Sequence, residues 1–345
     1  MVFNGEGEND MDVVRQRKNA IMAYLVYVAV FYAILICKVE PVATYTSTFG
    51  LIGHLLTFPL YWIGLKIHTG EKRWPWVWFA VTGVLYFLGD FFWAYYEDWL
   101  GVELESPSIC DVFYLLNSYT CCCAFICYMR QIKELRTGTI LMEILISVLA
   151  IGSLLYHFII APLIIDTSVG LFPMFFHANM SVIDLALFTG ILAVIWGTEQ
   201  SQFFTKRTLL LGLGFFLCCF VEQLSLAIEV YDLPIDFYFE PFWTIPFWFF
   251  ALTATYPDED ETDEAERVEL HKRWSPPLRY LRVGLPYLLT AIILVLVGPK
   301  AAFENTPFAL VLFLTAGHAI MTMLQNKRSQ QTTVFHQKDA LGDNT

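Results

Sequence analysis

Ten long apolar blocks separated by short polar connectors make up most of the chain. They cover residues 20–37, 47–65, 74–96, 109–129, 139–162, 174–196, 208–230, 241–256, 282–298 and 306–324. A bilayer core about 30 Å thick needs roughly 20 apolar residues of helix, because each residue rises about 1.5 Å. Core helices of soluble proteins are shorter, and charges interrupt their apolar stripes every few residues. These blocks lack such interruptions. The pattern predicts an all-α polytopic membrane protein with about ten transmembrane helices. The eighth block is the shortest, and Pro241 and Pro246 interrupt it.

Charge gives the blocks a direction. With the N-terminus in the cytoplasm, 19 of the 21 basic residues fall in inner segments, and only Lys38 and Lys300 do not. Such one-sided placement of Lys and Arg orients a multi-span chain. Adding or removing one span would destroy the alternation. Both termini are therefore expected in the cytoplasm of a cell whose plasma membrane holds the chain. Arg15, Arg17 and Lys18 precede the first block and no small-residue cleavage site follows it, so it reads as a signal-anchor. The predicted layout is a cytoplasmic N-terminal segment (1–19), an eight-span body (20–256), a cytoplasmic acidic and proline-containing linker (257–281), a two-span hairpin (282–324) and a cytoplasmic tail (325–345). Residues 325–345 are polar and too few to fold alone. They could extend the last helix into the cytoplasm.

The net charge of −12 gathers on the outer side, which repels anions and argues against nucleic acid as a partner. Six of the eight cysteines lie inside blocks as small hydrophobes. Cys37 and Cys110 lie near the outer surface and could pair. No metal-ligand spacing is present, and neither a metal nor another cofactor is expected.

An offset of 132 residues relates parts of the chain: Asp90 and Glu97 match Glu222 and Glu229, and block two maps onto block six. This suggests a parallel four-helix pseudo-repeat.

Ionisable groups inside a bilayer are costly, which makes each one a candidate for function. Asp90, Asp184 and Glu222 lie well within blocks, with His157 and His177 in outer halves. Glu143 lies near the inner end of block five and reads as structural. Asp90, Trp93 and Glu97 share one helix face at spacings of three and seven, and Glu222 and Glu229 repeat that spacing. With Asp111 at the start of block four, these groups could line an outward-facing polar cavity suited to sensing protons or cations. Interhelical hydrogen bonding is the competing structural reading. The Trp and Tyr clusters around residues 74–78, 93–96 and 243–248 read as interfacial anchors, with Trp93 and Trp99 the place for an aromatic ligand. A lone intramembrane histidine, such as His54 or His318, reads as structural. No lysine lies inside a block, and no HExxH, GxSxG, P-loop or GxGxxG occurs, so no catalytic set is predicted.

Residues 88–119, LGDFFWAYYEDWLGVELESPSICDVFYLLNSY, resemble the N-terminal multi-span sensor region of bacterial cyclic-di-GMP signalling proteins that end in GGDEF or EAL domains. That pattern is an Asp and Trp followed by Glu, then Pro-Ser-x-x-Asp-x-x-Tyr-Leu. Asp90, Trp93, Glu97, Pro107, Ser108, Asp111, Tyr114 and Leu115 carry it here. The segments LRVGLPYLLTAIILVLV (281–297) and MLQNKRSQQ (323–331) are similar to the end of such a region, where the polar run starts the helix leading to the catalytic domain. No GGDEF, EAL or kinase signature follows, up to Thr345. The resemblance implies a non-enzymatic receiver in a bacterial inner membrane, acting on an output domain or a separate cytoplasmic partner. Besides the lipid bilayer, a homodimer is among the partners this reading admits. A secondary transporter coupled to protons or cations is the alternative that the repeat and the intramembrane acids leave open.

Overall fold

The computed structural model describes residues 6–37, 42–104, 107–132, 141–162, 170–198, 204–231, 240–256, 264–298, 306–321 and 323. Every regular element among them is helical: α1 (Glu6–Ile36), α2 (Val42–Leu55), α3 (Phe58–Ile67), α4 (Trp74–Trp93), α5 (Ile109–Met129), α6 (Leu141–Leu155), α7 (Leu171–Thr198), α8 (Lys206–Val230), α9 (Glu240–Ala254), α10 (Glu264–Val297) and α11 (Thr306–Met321). Each predicted block falls on one of these helices, block two being shared by α2 and α3. Eight helical segments are long and apolar enough to cross a bilayer, and α9 and α11 are shorter. The chain is an all-α multi-pass membrane protein. Helices satisfy their backbone polar groups internally, which lipid requires because it supplies no hydrogen bonds.

The irregularities have local causes. Pro59 lies in the first turn of α3, and Thr57 donates its hydroxyl to the His54 carbonyl at 2.7 Å, so block two breaks between α2 and α3. Two π-helical turns, Ala94–Trp99 and Tyr156–Ile160, continue α4 and α6. Helix α9 has 15 residues, about 22 Å at 1.5 Å per residue. It need not match the lipid thickness, because it runs among α1, α2, α3, α4 and α8 and buries Phe247, Phe250, Ala251 and Ala254.

Contacts gather the basic helix ends. Arg17 donates to the Thr255 hydroxyl and carbonyl. A His68 ring nitrogen lies 2.9 Å from the Ala254 carbonyl, Gln131 donates to the Glu71 carbonyl, and Lys206 pairs with Glu266 at 2.9 Å. These contacts join the start of α1, the ends of α3, α5 and α9, and the starts of α4, α8 and α10 into one basic end of the bundle.

Three sequence expectations change. The tryptophans are not all interfacial: Trp76 is fully enclosed, with the Arg207 guanidinium 4.7 Å above its ring, and Trp248 is buried against Tyr24. Ring stacking and a cation over the ring face give such buried tryptophans specific partners. The expected linker is helical from Glu264 onward and continues into the ninth span. Pro276 and Pro277 deprive the Lys272 and Arg273 carbonyls of helical donors, but both residues are exposed, where solvent can substitute. The core also divides differently from the predicted body and hairpin. Ile146 and Ala150 of α6 pack with Leu289 and Ile293 of α10 and Phe308 and Val311 of α11, apart from the larger cluster formed by α1 to α5 and α7 to α9. The linker residues 257–263 and the tail from 324 lie outside the described residues.

Two helix starts lie close to the offset of 132, while the ends of the same helices do not. Helix α4 starts at 74 and α8 at 206, a difference of 132; α5 starts at 109 and α9 at 240, a difference of 131. The two most extensive helix pairings are α4 with α5 and α8 with α9.

Close packing makes one glycine decisive. A Cβ on Gly64 would lie 2.5 Å from the Ala254 Cβ and 2.9 Å from its carbonyl oxygen, while one on Gly284 meets nothing within 4 Å. Gly64→Ala is expected to cost about 1–3 kcal/mol of stability by overpacking. Gly284→Ala should be neutral or stabilising by up to about 1 kcal/mol, since alanine favours a helix interior. Thermal unfolding of the detergent-solubilised protein checks both; equal melting temperatures for the pair would contradict this packing.

Candidate functional site

The site begins with the pairing of α4 and α5. Ser108 caps α5 and accepts from the Asp111 backbone N–H at 3.3 Å, while Asp111 Oδ2 accepts from the Ser108 N–H at 2.7 Å. This reciprocal capping box satisfies backbone donors left over at a helix start. One turn on, the Tyr114 hydroxyl donates to Asp90 Oδ1 at 2.9 Å. Gly89 permits that reach, because a Cβ there would sit 2.5 Å from the Tyr114 ring. Glu97, in the π-helical turn, accepts from the Leu104 N–H at 3.3 Å and draws the following loop back across the end of α4. Gly101 gives that loop its turn with a φ of +64°. The Ser, Asp, Tyr and Glu of the sequence pattern therefore shape one corner of the bundle.

Other helices complete it. His54, at the break between α2 and α3, brings Nε2 to 2.9 Å from Asp90 Oδ2, although its ring is not aligned for a straight hydrogen bond. Glu222 and Gln223 approach from α8. Gln223 donates to Asp184 Oδ2 of α7 at 2.6 Å, and Ser181 donates to Gln223 at 3.4 Å. Among the described residues Glu222 makes no hydrogen bond or ion pair, and Asp90 and His177 are its electrostatic neighbours.

Between these helices lies a cavity of about 740 Å³. Asp90, Trp93, Asp111, His177 and Glu222 line it, as do Ser108 and Tyr114 of the sequence pattern. It sits where α4 ends, α5 and α7 begin and α8 ends, opposite the basic end. The remaining candidates lie elsewhere. Asp184 is buried behind Gln223, and Glu97 acts on the loop. His157 is exposed and packs its ring on Phe158 and Phe308. Trp99 is exposed against Phe91 and Tyr95. Pro107 is exposed and Leu115 half-buried, and neither lines the cavity. The Glu229 side chain lies outside the described residues.

Sequence reasoning missed His54, Tyr86, Gln223 and Trp243. His54 and His318 were each read as a lone structural histidine, yet each faces an acid. His318 Nε2 lies 3.6 Å from Glu143, and its Nδ1 lies 3.1 Å from the Tyr287 hydroxyl, buried among α6, α10 and α11. All eight cysteines are free, with Cys37 exposed and Cys110 buried. No three His, Cys, Asp or Glu side chains converge as a metal site among the described residues.

No protein-family model, curated protein or solved structure matches the chain.

Ser108→Ala removes the cap acceptor and is expected to cost about 1 kcal/mol. Ser108→Asp keeps an acceptor and should cost less. Denaturation of both variants in detergent checks the order; a neutral Ser108→Ala would show that the cap does not hold this corner.

Proposed function

We propose that the chain is a non-enzymatic membrane sensor or regulatory module in which a small ligand or cation enters the cavity from the outer side and the last helices relay its presence to a cytoplasmic output. The observation that carries this reading is the convergence of Asp90, Trp93, Ser108, Asp111 and Tyr114 of the 88–119 pattern with His177 and Glu222 on one cavity. The resemblance of that segment to bacterial sensor regions supports the same reading, as does the placement of 19 of 21 basic residues on one side, which favours cytoplasmic termini in a plasma membrane.

Helix α7 supplies a physical path. Its first turns line the cavity through Phe176, His177 and Met180. Its last turns pack Leu192 and Trp196 against Ile144 of α6 and Leu285 of α10. A helix touching both places transmits displacement if the bundle has two discrete arrangements. A ligand that binds one arrangement better shifts the population towards it. Helix α10 and its hairpin partner α11 then carry the change to a cytoplasmic output domain or partner.

A secondary transporter is the second reading, favoured by the broken α2–α3 helix beside the His54 and Asp90 contact. Broken helices that meet ionisable groups inside the membrane are typical of coupled transport.

In a chimera carrying a diguanylate cyclase domain after Thr345, Asp90→Asn and Glu222→Gln are each expected to change cyclic-di-GMP output by about fivefold or more. Unchanged output in both removes the cavity from signalling. Proteoliposomes should show no uptake driven by a proton or sodium gradient; such uptake would favour the transporter.

A further inference from the structure

We infer that the cavity binds a small organic ammonium compound carrying an aromatic or similarly flat apolar group, an inference that rests on the sensing reading and names its ligand class. Three observations combine. The volume of about 740 Å³ lies within the range of small-molecule pockets and far exceeds the space of a dehydrated metal ion. An inorganic cation needs several oxygen ligands within about 2.0–2.6 Å of one point. Among the described residues no three His, Cys, Asp or Glu side chains converge in that way.

The charge of the walls selects a cation. Asp90, Asp111 and Glu222 face the space, and among the described residues His177 is the one basic side chain lining it. Asp111 is committed to the α5 cap, and Asp90 is held by Tyr114 and approached by His54. Glu222 has no hydrogen-bond or ion-pair partner among the described residues, and its carboxylate is left to meet a ligand. Binding an anion here would set like charges together in a partly desolvated space, whereas an ammonium would be paired and hydrogen-bonded.

The remaining walls favour an organic cation over a bare one. Tyr86, Trp93 and Trp243 join Tyr114 around the same space. Aromatic faces attract ammonium groups through their quadrupole and offer flat area for an apolar ring. Carboxylate at one point and aromatic rings around it form a two-part recognition surface: charge for the amine, stacking for the body.

The test uses the full chain in detergent with three matched probes, phenethylamine, 2-phenylethanol and phenylacetate, measured by calorimetry. Phenethylamine is expected to bind about tenfold or more tightly than either other probe, because only it pairs with Glu222. Glu222→Gln should weaken the amine by about tenfold while leaving the alcohol unchanged. Trp93→Leu should weaken both amine and alcohol. The inference is overturned if phenylacetate binds as well as the amine, or if Glu222→Gln binds the amine as wild type does. Should no probe bind while Asp90→Asn and Glu222→Gln still alter the chimera's output, the ligand class fails and the sensing reading stands. Should the amine bind as expected while the output ignores both variants, the site stands and the sensing reading fails.

Discussion

A carboxylate within a lipid-embedded bundle must be solvated by protein groups or by water, because hydrocarbon provides neither donors nor dielectric. The architecture of this protein follows from how it meets that demand at each intramembrane acid. Asp184 is met by Gln223 and Glu143 by His318, both deep between helices. Asp90 is held by Tyr114 with His54 alongside. Glu222 is treated differently: it opens on a cavity instead of a partner. A half-buried acid without a partner is tolerable where something mobile can solvate it.

The same demand explains how the helices are joined. Tyr114 reaches Asp90 because Gly89 leaves room, Asp111 and Ser108 fix the start of α5, and Glu97 folds the loop inward. The result is an α4–α5 corner facing α7 and α8, which Gln223 and Asp184 tie to each other. Helix α7 then runs from that corner to α6 and α10, whose polar stack of Glu143, His318 and Tyr287 locks the last two helices to the bundle. The cavity and the α6–α10–α11 cluster are thus distinct packing regions joined through α7 and, at the basic end, by the Lys206–Glu266 pair.

Much of this was legible beforehand. The apolar blocks marked every helix, since lipid imposes length and composition together. The spacing of Asp90 and Trp93 placed both on one face, and both line the cavity. His54 was not legible: nothing in block two signals that a break before Pro59 turns its ring towards Asp90. Trp76 and Trp248 looked interfacial because position along a block does not reveal which side faces protein. His157 failed for the converse reason, since a π-helical turn and the pairing of α6 with α11 carry it away from the cavity. The helical course of 264–281 was hidden by two prolines that a solvated helix end tolerates.

The central claim is a membrane bundle with an outward-opening cavity around Glu222 at the end opposite the basic residues. Labelling intact cells with a membrane-impermeant trimethylammonium methanethiosulfonate tests it most directly, in a Cys37→Ser background that removes the exposed native thiol. Glu222→Cys should be modified in intact cells, while Lys206→Cys should react only after lysis. A Glu222→Cys chain that stays unlabelled, or a Lys206→Cys chain labelled before lysis, would contradict the account.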